Sequence, residues 1–331
     1  MAQALVLGAT GHIGAHIVRA LLAAGHRVRA TYRSERFLHV LDGLDVERVR
    51  VDLDEPHALR RVADGCEWVF HAAGYYPSFR ARRNSAIAQG MESTRAILNQ
   101  LRAMRPARIV YTSSAATIRQ LSDRPANEED AESWPLAQWR PLYATVKVAM
   151  EHEVRRAIQE GVPIVTVNPS FCIGEYDAHP FSGQALLLFA KGRFPWFIEH
   201  RFNAIYTGDV GMGHLRAAER GRVGGRYLLT HADFTVKEFA TRVALSAGVR
   251  PPRWRIPFRF ALATALATEG LAWLTHSEPL LPRSVVQATR IGQQLDGSKA
   301  VKELGLSQIS IEEAIHRALA WFREHGYLKR Q

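Results

Sequence analysis

Tyr143-Ala-Thr-Val-Lys147 places a phenol and an ammonium four residues apart, on one face of any helix that spans them. A phenol is a poor acid or base at its ordinary pKa near 10. A neighbouring cation favours the phenolate and brings proton exchange within reach of neutral solution. The spacing alone says little, because nine tyrosines and ordinary lysine usage give about one chance in three of a random match. Thr112-Ser113-Ser114, directly after the apolar run Arg108–Tyr111, adds to it. Ser114 is placed to donate a hydrogen bond to a carbonyl or alcohol oxygen, and Ser113 to serve the strand end; both as plain turn formers is the alternative. Ser114, Tyr143 and Lys147 would together suit proton exchange at a substrate oxygen.

A glycine cluster near the start of the sequence points to a phosphate-bearing ligand that comes very close to the backbone. Gly8, Gly11 and Gly14 sit three apart in GATGHIG, after the apolar Ala4–Leu7 and at the opening of a helix-like stretch, Ile13–Ala24. In that context Gly8 permits a tight turn, Gly11 lets a pyrophosphate approach the main chain, and Gly14 lets the helix lie close to the sheet. Free amides at the helix start would face the phosphates. The second run, Val28–Tyr32, ends on Arg33, with Arg36 beyond it and no acid at its tip. An arginine there pairs with a 2′-phosphate and stacks on adenine, so NADP is expected before NAD; a plain surface role for Arg33 is the alternative. Asp52 and Leu53 are placed for the adenine edge, and Ala72, Ala73 and Gly74 leave room for the middle of the dinucleotide.

Six short apolar runs, at Ala4–Leu7, Val28–Tyr32, Val46–Val51, Trp68–His71, Arg108–Tyr111 and Ile164–Val167, alternate with helix-like stretches at Ile13–Ala24, Pro56–Ala63, Ser85–Met104 and Tyr143–Gln159. Alternation of this kind predicts an α/β fold, a doubly wound parallel sheet with helices on both faces. Strands covered on both faces are apolar throughout, as these are. After Pro169 the rhythm changes. Residues 171–205 are loop-rich and aromatic, with helices expected near 236–247, 259–274 and 311–325. The expected organisation is a dinucleotide domain over 1–170 and a smaller C-terminal lobe that binds substrate over 171–331, with a segment near 202–235 returning to the sheet.

The 331 residues carry a net charge of +11, with 47% hydrophobic and 23% charged side chains. The arginines are scattered, which fits a basic surface that draws in an anionic cofactor better than a nucleic-acid binder. Cys66 and Cys172 give neither a disulfide framework nor a metal spacing, and a reducing cytoplasm is expected. His12 and His16 form an i, i+4 pair without an evident third ligand, so no metal is expected. The apolar segment at residues 4–7 is cut by Gly8, which gives no expectation of a signal peptide. The stretch 260–274 is too short to span a bilayer and holds Glu269 and Gly270; a buried or amphipathic helix is expected, with surface attachment to a membrane as the alternative.

GATGHIG, Asp52-Leu53, HAAG at 71–74, YTSSAAT at 111–117, Tyr143-x-x-x-Lys147 and Asn168-Pro169-Ser170 stand in the order seen in extended short-chain dehydrogenase/reductases. The chain resembles the NAD-dependent epimerase/dehydratases of that superfamily, on its dihydroflavonol reductase-like and hopanoid-associated sugar epimerase-like side. The likeness continues through the "Tyr-x-x-Asp-Val" segment at 206–210 and Asp296–Gly305. It implies Ser114, Tyr143 and Lys147 as the catalytic set. It implies a dinucleotide held along Gly8, Thr10, Gly11, His12, Ile13, Gly14, Arg33, Asp52, Leu53, Ala72, Ala73, Gly74, Tyr143, Lys147, Pro169 and Ser170. A homodimer through helices near 85–104 and 143–160 is also implied.

Three functions stay open on these residues. One is an NADP-dependent reductase for a small carbonyl or alcohol, favoured by the aromatics of 171–206 with Tyr75, Tyr76 and Phe79. Another is an NAD-dependent nucleotide-sugar epimerase or dehydratase, for whose diphosphate Lys191, Arg193, Arg201 and Arg290 are available. The last is an NADP-sensing regulator, which has no need of the Ser-Tyr-Lys set.

Overall fold

The computed structural model describes residues 1–55, 57–78, 80–137, 140–275, 277, 279, 281, 283–289 and 292–329. The expected contributions of Phe79 and Arg290 therefore lie outside the described residues. In chain order the strands are β1 (Gln3–Leu7), β2 (Arg27–Tyr32), β3 (Glu47–Arg50), β4 (Trp68–His71), β5 (Arg108–Thr112), β6 (Ile164–Pro169), β7 (Phe171–Ile173), β8 (Trp196–Phe197), β9 (Arg201–Tyr206), β10 (Arg226–Leu229), β11 (Ala232–Thr235) and β12 (Trp254–Arg255). The helices are α1 (His12–Ala23), α2 (Ala58–Val62), α3 (Arg83–Met104), α4 (Leu142–Gln159), α5 (Gly183–Ala190), α6 (Thr207–Arg220), α7 (Val236–Ser246), α8 (Phe258–Thr275), α9 (Arg283–Ala288) and α10 (Ile311–Glu324).

Seven strands form one parallel sheet in the order β10-β6-β5-β4-β1-β2-β3. The apolar reading of the strands has a direct structural cause. Along β1, Ala4 and Val6 enter one core with Ile17, Val18 and Leu21 of α1 and Val210 and Leu215 of α6. Leu5 and Leu7 enter the opposite core with Leu59 of α2, Ile97, Leu98 and Leu101 of α3 and Val154 of α4. Each fully buried side chain of this kind contributes about 1.5–3 kcal/mol, and both faces draw on it. From β1 the chain runs outward to β3 and then returns to β4 on the other side of β1. The crevice outside the carboxyl ends of β1 and β4 is thus the topological switch point.

Residues 171–205, expected to be loop-rich, instead contain β7, α5 and β8 and most of β9. β7 and β9 join β11 in a three-stranded sheet, and β8 pairs with β12. The sequence reading also gave no helix to 207–220, where α6 stands. Gly208, Gly211 and Gly213 lower its helix propensity, and close contact is what they serve. A Cβ on Gly211 would fall 2.6 Å from the His16 carbonyl oxygen of α1, and one on Gly213 would fall 2.9 Å from Leu229 of β10. Among the described residues, no helix is long and apolar enough to cross a membrane.

Candidate active site

Gly8 leaves β1 with φ +77°, where an L side chain is strained, and a Cβ there would stand 3.0 Å from the Ala73 backbone beyond β4. Its carbonyl accepts from Gly11 N at 3.0 Å, which closes the turn. Gly14 lies so close that its Cβ would be 2.1 Å from that same carbonyl oxygen. Gly11 caps α1 without a side chain, and the first turn carries no acidic residue, so Thr10, Gly11, His12 and Ile13 present main chain and a bare helix start. That is a cradle for an anion. Thr31 secures it from the next strand by donating from Oγ1 to the Val6 carbonyl at 3.2 Å.

The other expected cofactor positions follow the carboxyl ends of the strands. Arg33 is exposed just beyond β2, in a stretch without a carboxylate from Thr31 to Ser34. Asp52, half-buried after β3, accepts from Asp54 N at 3.1 Å, and Leu53 packs on the core beneath. Ala72, Ala73 and Gly74 follow β4, where the Ala72 amide donates to the Leu7 carbonyl at 3.1 Å. Pro169 ends β6, and the buried Ser170 Oγ beside it has no hydrogen-bond partner among the described residues.

Ser114 follows β5 and caps the short 3-10 turn Ala115–Thr117, its Oγ accepting from Ala116 N at 3.2 Å. Tyr143 and Lys147 stand one turn apart on α4. Burial pushes the Tyr143 phenol above its ordinary pKa, and the nearby hydroxyls of Ser114 and Tyr76 partly pull it back. The ammonium expected to lower it stands 5.8 Å from the Tyr143 ring centre, closer to the Tyr76 ring at 4.8 Å, and burial dominates. Burial also brings Lys147 itself down to about 8, against the opposing charge of Glu151. The lysine fits because Gly74 has no side chain: a Cβ there would lie 2.8 Å from Nζ. Its charge and burial together hold the neighbouring His71 down to about 4.

Glu151 and its partner Arg226 escaped the sequence reading. Glu151, two turns beyond Tyr143, continues the same helix face and is 1% exposed. Its Oε2 accepts from Ser113 Oγ at 2.5 Å, Thr117 Oγ1 at 3.0 Å and Asn168 Nδ2 at 3.0 Å, and its Oε1 from Arg226. Asn168 also donates to the Ser114 carbonyl at 3.1 Å. This carboxylate therefore ties α4 to the exits of β5 and β6 and fixes Ser114 relative to Tyr143. The i, i+4, i+8 spacing of 143, 147 and 151 was the available signal. Tyr76 stacks on Tyr143 at 5.6 Å between ring centres, and Phe181 tilts onto both at 5.2 and 6.0 Å. His12 faces Asp177 at 3.8 Å, and His16 meets the Glu175 carbonyl at 3.1 Å.

A glycine cradle at the switch point and a phenol–lysine helix beside it define an extended short-chain dehydrogenase/reductase, an NAD(P)-dependent oxidoreductase with a small-molecule substrate. The chain belongs to the NAD dependent epimerase/dehydratase family, which it matches over residues 4–228. It is 33% identical, over 98% of its length and 96% of the relative's, to a Synechocystis protein provisionally named a dihydroflavonol 4-reductase. It is 32% identical to sterol demethylase protein B of Methylococcus capsulatus, over 98% and 99% of the two chains. The crystal structure of a nucleoside-diphosphate-sugar epimerase from Pseudomonas aeruginosa superposes with a TM-score of 0.83 at 28% identity, covering 99% of each chain.

Proposed function

We propose that this protein is a reductase-type oxidoreductase that prefers NADP and acts on a small apolar or cyclic carbonyl or alcohol. The observation that carries the reading is the Ser114 hydroxyl at the exit of β5, near enough to the Tyr143 phenol to lower its pKa, with a buried Lys147 one turn further along α4. The residues fit the dinucleotide: the Gly8–Gly14 cradle takes the pyrophosphate, Arg33 the 2′-phosphate, Asp52 and Leu53 the adenine, and Ala72 to Gly74 with Pro169 and Ser170 the middle and the ring end. When bound, the dinucleotide supplies or takes up a hydride.

The protein's own part is proton management. Ser114 donates to the substrate oxygen and fixes its place. Tyr143 passes a proton to that oxygen, or takes one from it, and Lys147 holds a positive charge behind the phenol and reaches the ribose. Glu151 keeps the serine and the helix in register. Tyr76 and Phe181, stacked around the phenol, favour a flat or apolar substrate. The provisionally named dihydroflavonol 4-reductase among the relatives supports a reductase. Lys191, Arg193 and Arg201, which a sugar diphosphate would call upon, are exposed in the lobe.

The test is Tyr143→Phe. Turnover is expected to fall about 10²–10⁴-fold while dinucleotide affinity is kept. A regulator that merely senses the dinucleotide would keep its response. Native mass spectrometry separates the oxidoreductases: a tightly retained NAD argues for an epimerase, weakly held NADP for the reductase.

A further inference from the structure

Helix α8 is built inside out. Its fully buried positions are small: Ala261 and Ala265 pack with Val286, Ile198 and Ile256, Phe258 and Leu262 cover them in part, and Ala272 is buried further along. Most of its large side chains point the other way: Phe260 is 69% exposed, Leu266 50%, Leu271 61%, Trp273 69% and Leu274 71%. An ordinary surface helix does the reverse. From Phe260 to Thr275 the sequence carries one charged residue, Glu269, and that carboxylate is engaged by the Arg283 amide at 2.6 Å. The outer face is thus a continuous apolar strip along a helix of about 27 Å.

The residues leading into α8 carry charge of one sign. Arg250, Arg253, Arg255 and Arg259 are all exposed, and no acid occurs between Gly248 and Thr268. Trp254 stands among them, 59% exposed, with its ring 6.3 Å from that of the exposed Trp196. Large apolar residues on α8, with arginines and tryptophans on the stretch before it and on β8, match the layers of a lipid surface: acyl chains, interface and anionic headgroups. A second copy of the chain fits less well, since a twofold contact through this strip presents the same residues again and so offers the arginines no free carboxylate, Glu269 being engaged already. At 18 residues, with Glu269 and Gly270 inside it, α8 suits lying in the surface and not crossing it.

We propose that α8, with the arginines before it, seats the protein on an anionic bilayer surface. The seat adjoins the active site. Arg80 donates to the Ala272 carbonyl at 3.1 Å, and the segment carrying Arg80 also carries Tyr76, which stacks on Tyr143. Docking therefore sets the aromatic edge of the site beside the lipid. The proposal stands independently of the oxidoreductase reading.

Co-sedimentation with vesicles tests it, using phosphatidylcholine alone and phosphatidylcholine mixed with phosphatidylglycerol. The wild-type chain is expected to sediment with the mixed vesicles and to be released by salt. Trp273→Ser with Leu274→Ser should weaken that partition roughly tenfold or more, from the apolar area lost. Arg253→Glu with Arg255→Glu should weaken it roughly fivefold per arginine. Equal binding to both vesicle types, binding to neither, or partition unchanged in both variants overturns the proposal. So does a wild-type dimer that the serine variant converts to monomer, since a second copy would then cover the strip. Dinucleotide affinity, measured in solution on the same proteins, should match wild type; this separates a failed seat from a failed fold or a failed active site.

Discussion

At Lys147, burial and a carboxylate compete for one proton, and burial prevails, bringing the ammonium down to about 8. Below that pH the lysine is charged in the native protein; above it the phenol of Tyr143 loses its cation. The rate is therefore expected to fall on the alkaline side near pH 8, which a kcat/KM profile would show. Stability should move the other way. An unfolded lysine keeps its proton to about 10.4. Between the two values unfolding takes up a proton, so stability rises with pH across that window. Lys147→Met should remove this rise, read as the difference between the two proteins' denaturant midpoints at pH 8 and pH 10. Arg33 makes a separate claim: Arg33→Ala should reduce the preference for NADP over NAD by roughly tenfold or more, in line with the loss of a charge-assisted contact to a phosphate. Equal binding of the two dinucleotides by the wild type would remove the basis of the NADP assignment.

Among the elements, the β1–α1 turn is held by contacts that no side chain can enter. Gly14→Ala forces a methyl against the Gly8 carbonyl, which is backbone and cannot rotate away. The turn or the helix must shift, at a cost of about 1–3 kcal/mol, and the displaced amides should weaken dinucleotide binding too. Gly270→Ala, in α8 with open space around it, is the contrasting case and should stabilise by about 0.5–1 kcal/mol. Thermal or denaturant midpoints of the two variants measure both signs. The alternation was legible because the central strands β1, β4, β5 and β6 are apolar on both faces; the edge strand β3, Glu-Arg-Val-Arg with three residues exposed, shows only Val49 and the valines that flank it. α6 was not legible: its glycines argue against a helix, and only the spatial neighbours, α1 at Gly211 and β10 at Gly213, show why they are needed. Glu151 was hidden for a related reason. A carboxylate on a helix reads as a solvated group until Ser113, Thr117, Asn168 and Arg226 are brought around it from distant strands.

For the whole molecule, α6 joins the parallel sheet to the C-terminal chain, and its first turn carries Asp209, 8% exposed. The Asp209 carboxylate accepts from the Ile309 amide at 3.0 Å, one residue before the cap of α10. Burial nevertheless pushes the carboxyl up to about 6, the amide and the charges of His231 and Arg317 opposing it. The unfolded carboxyl titrates near 3.9. Between these values the native state holds a proton that the unfolded state has lost. Stability therefore falls as pH rises through this window, and at neutral pH the protein carries a penalty on the order of 2 kcal/mol. Asp209→Asn keeps an oxygen for the Ile309 amide and has no proton to lose. It should be as stable as wild type near pH 4 and more stable at pH 7, with the gap opening between pH 4 and 6. Denaturant midpoints of the two proteins across that range read the gap directly. A gap that stays constant with pH would assign the effect of the substitution to packing, and the junction between sheet and C-terminal helix would then carry no titrating load.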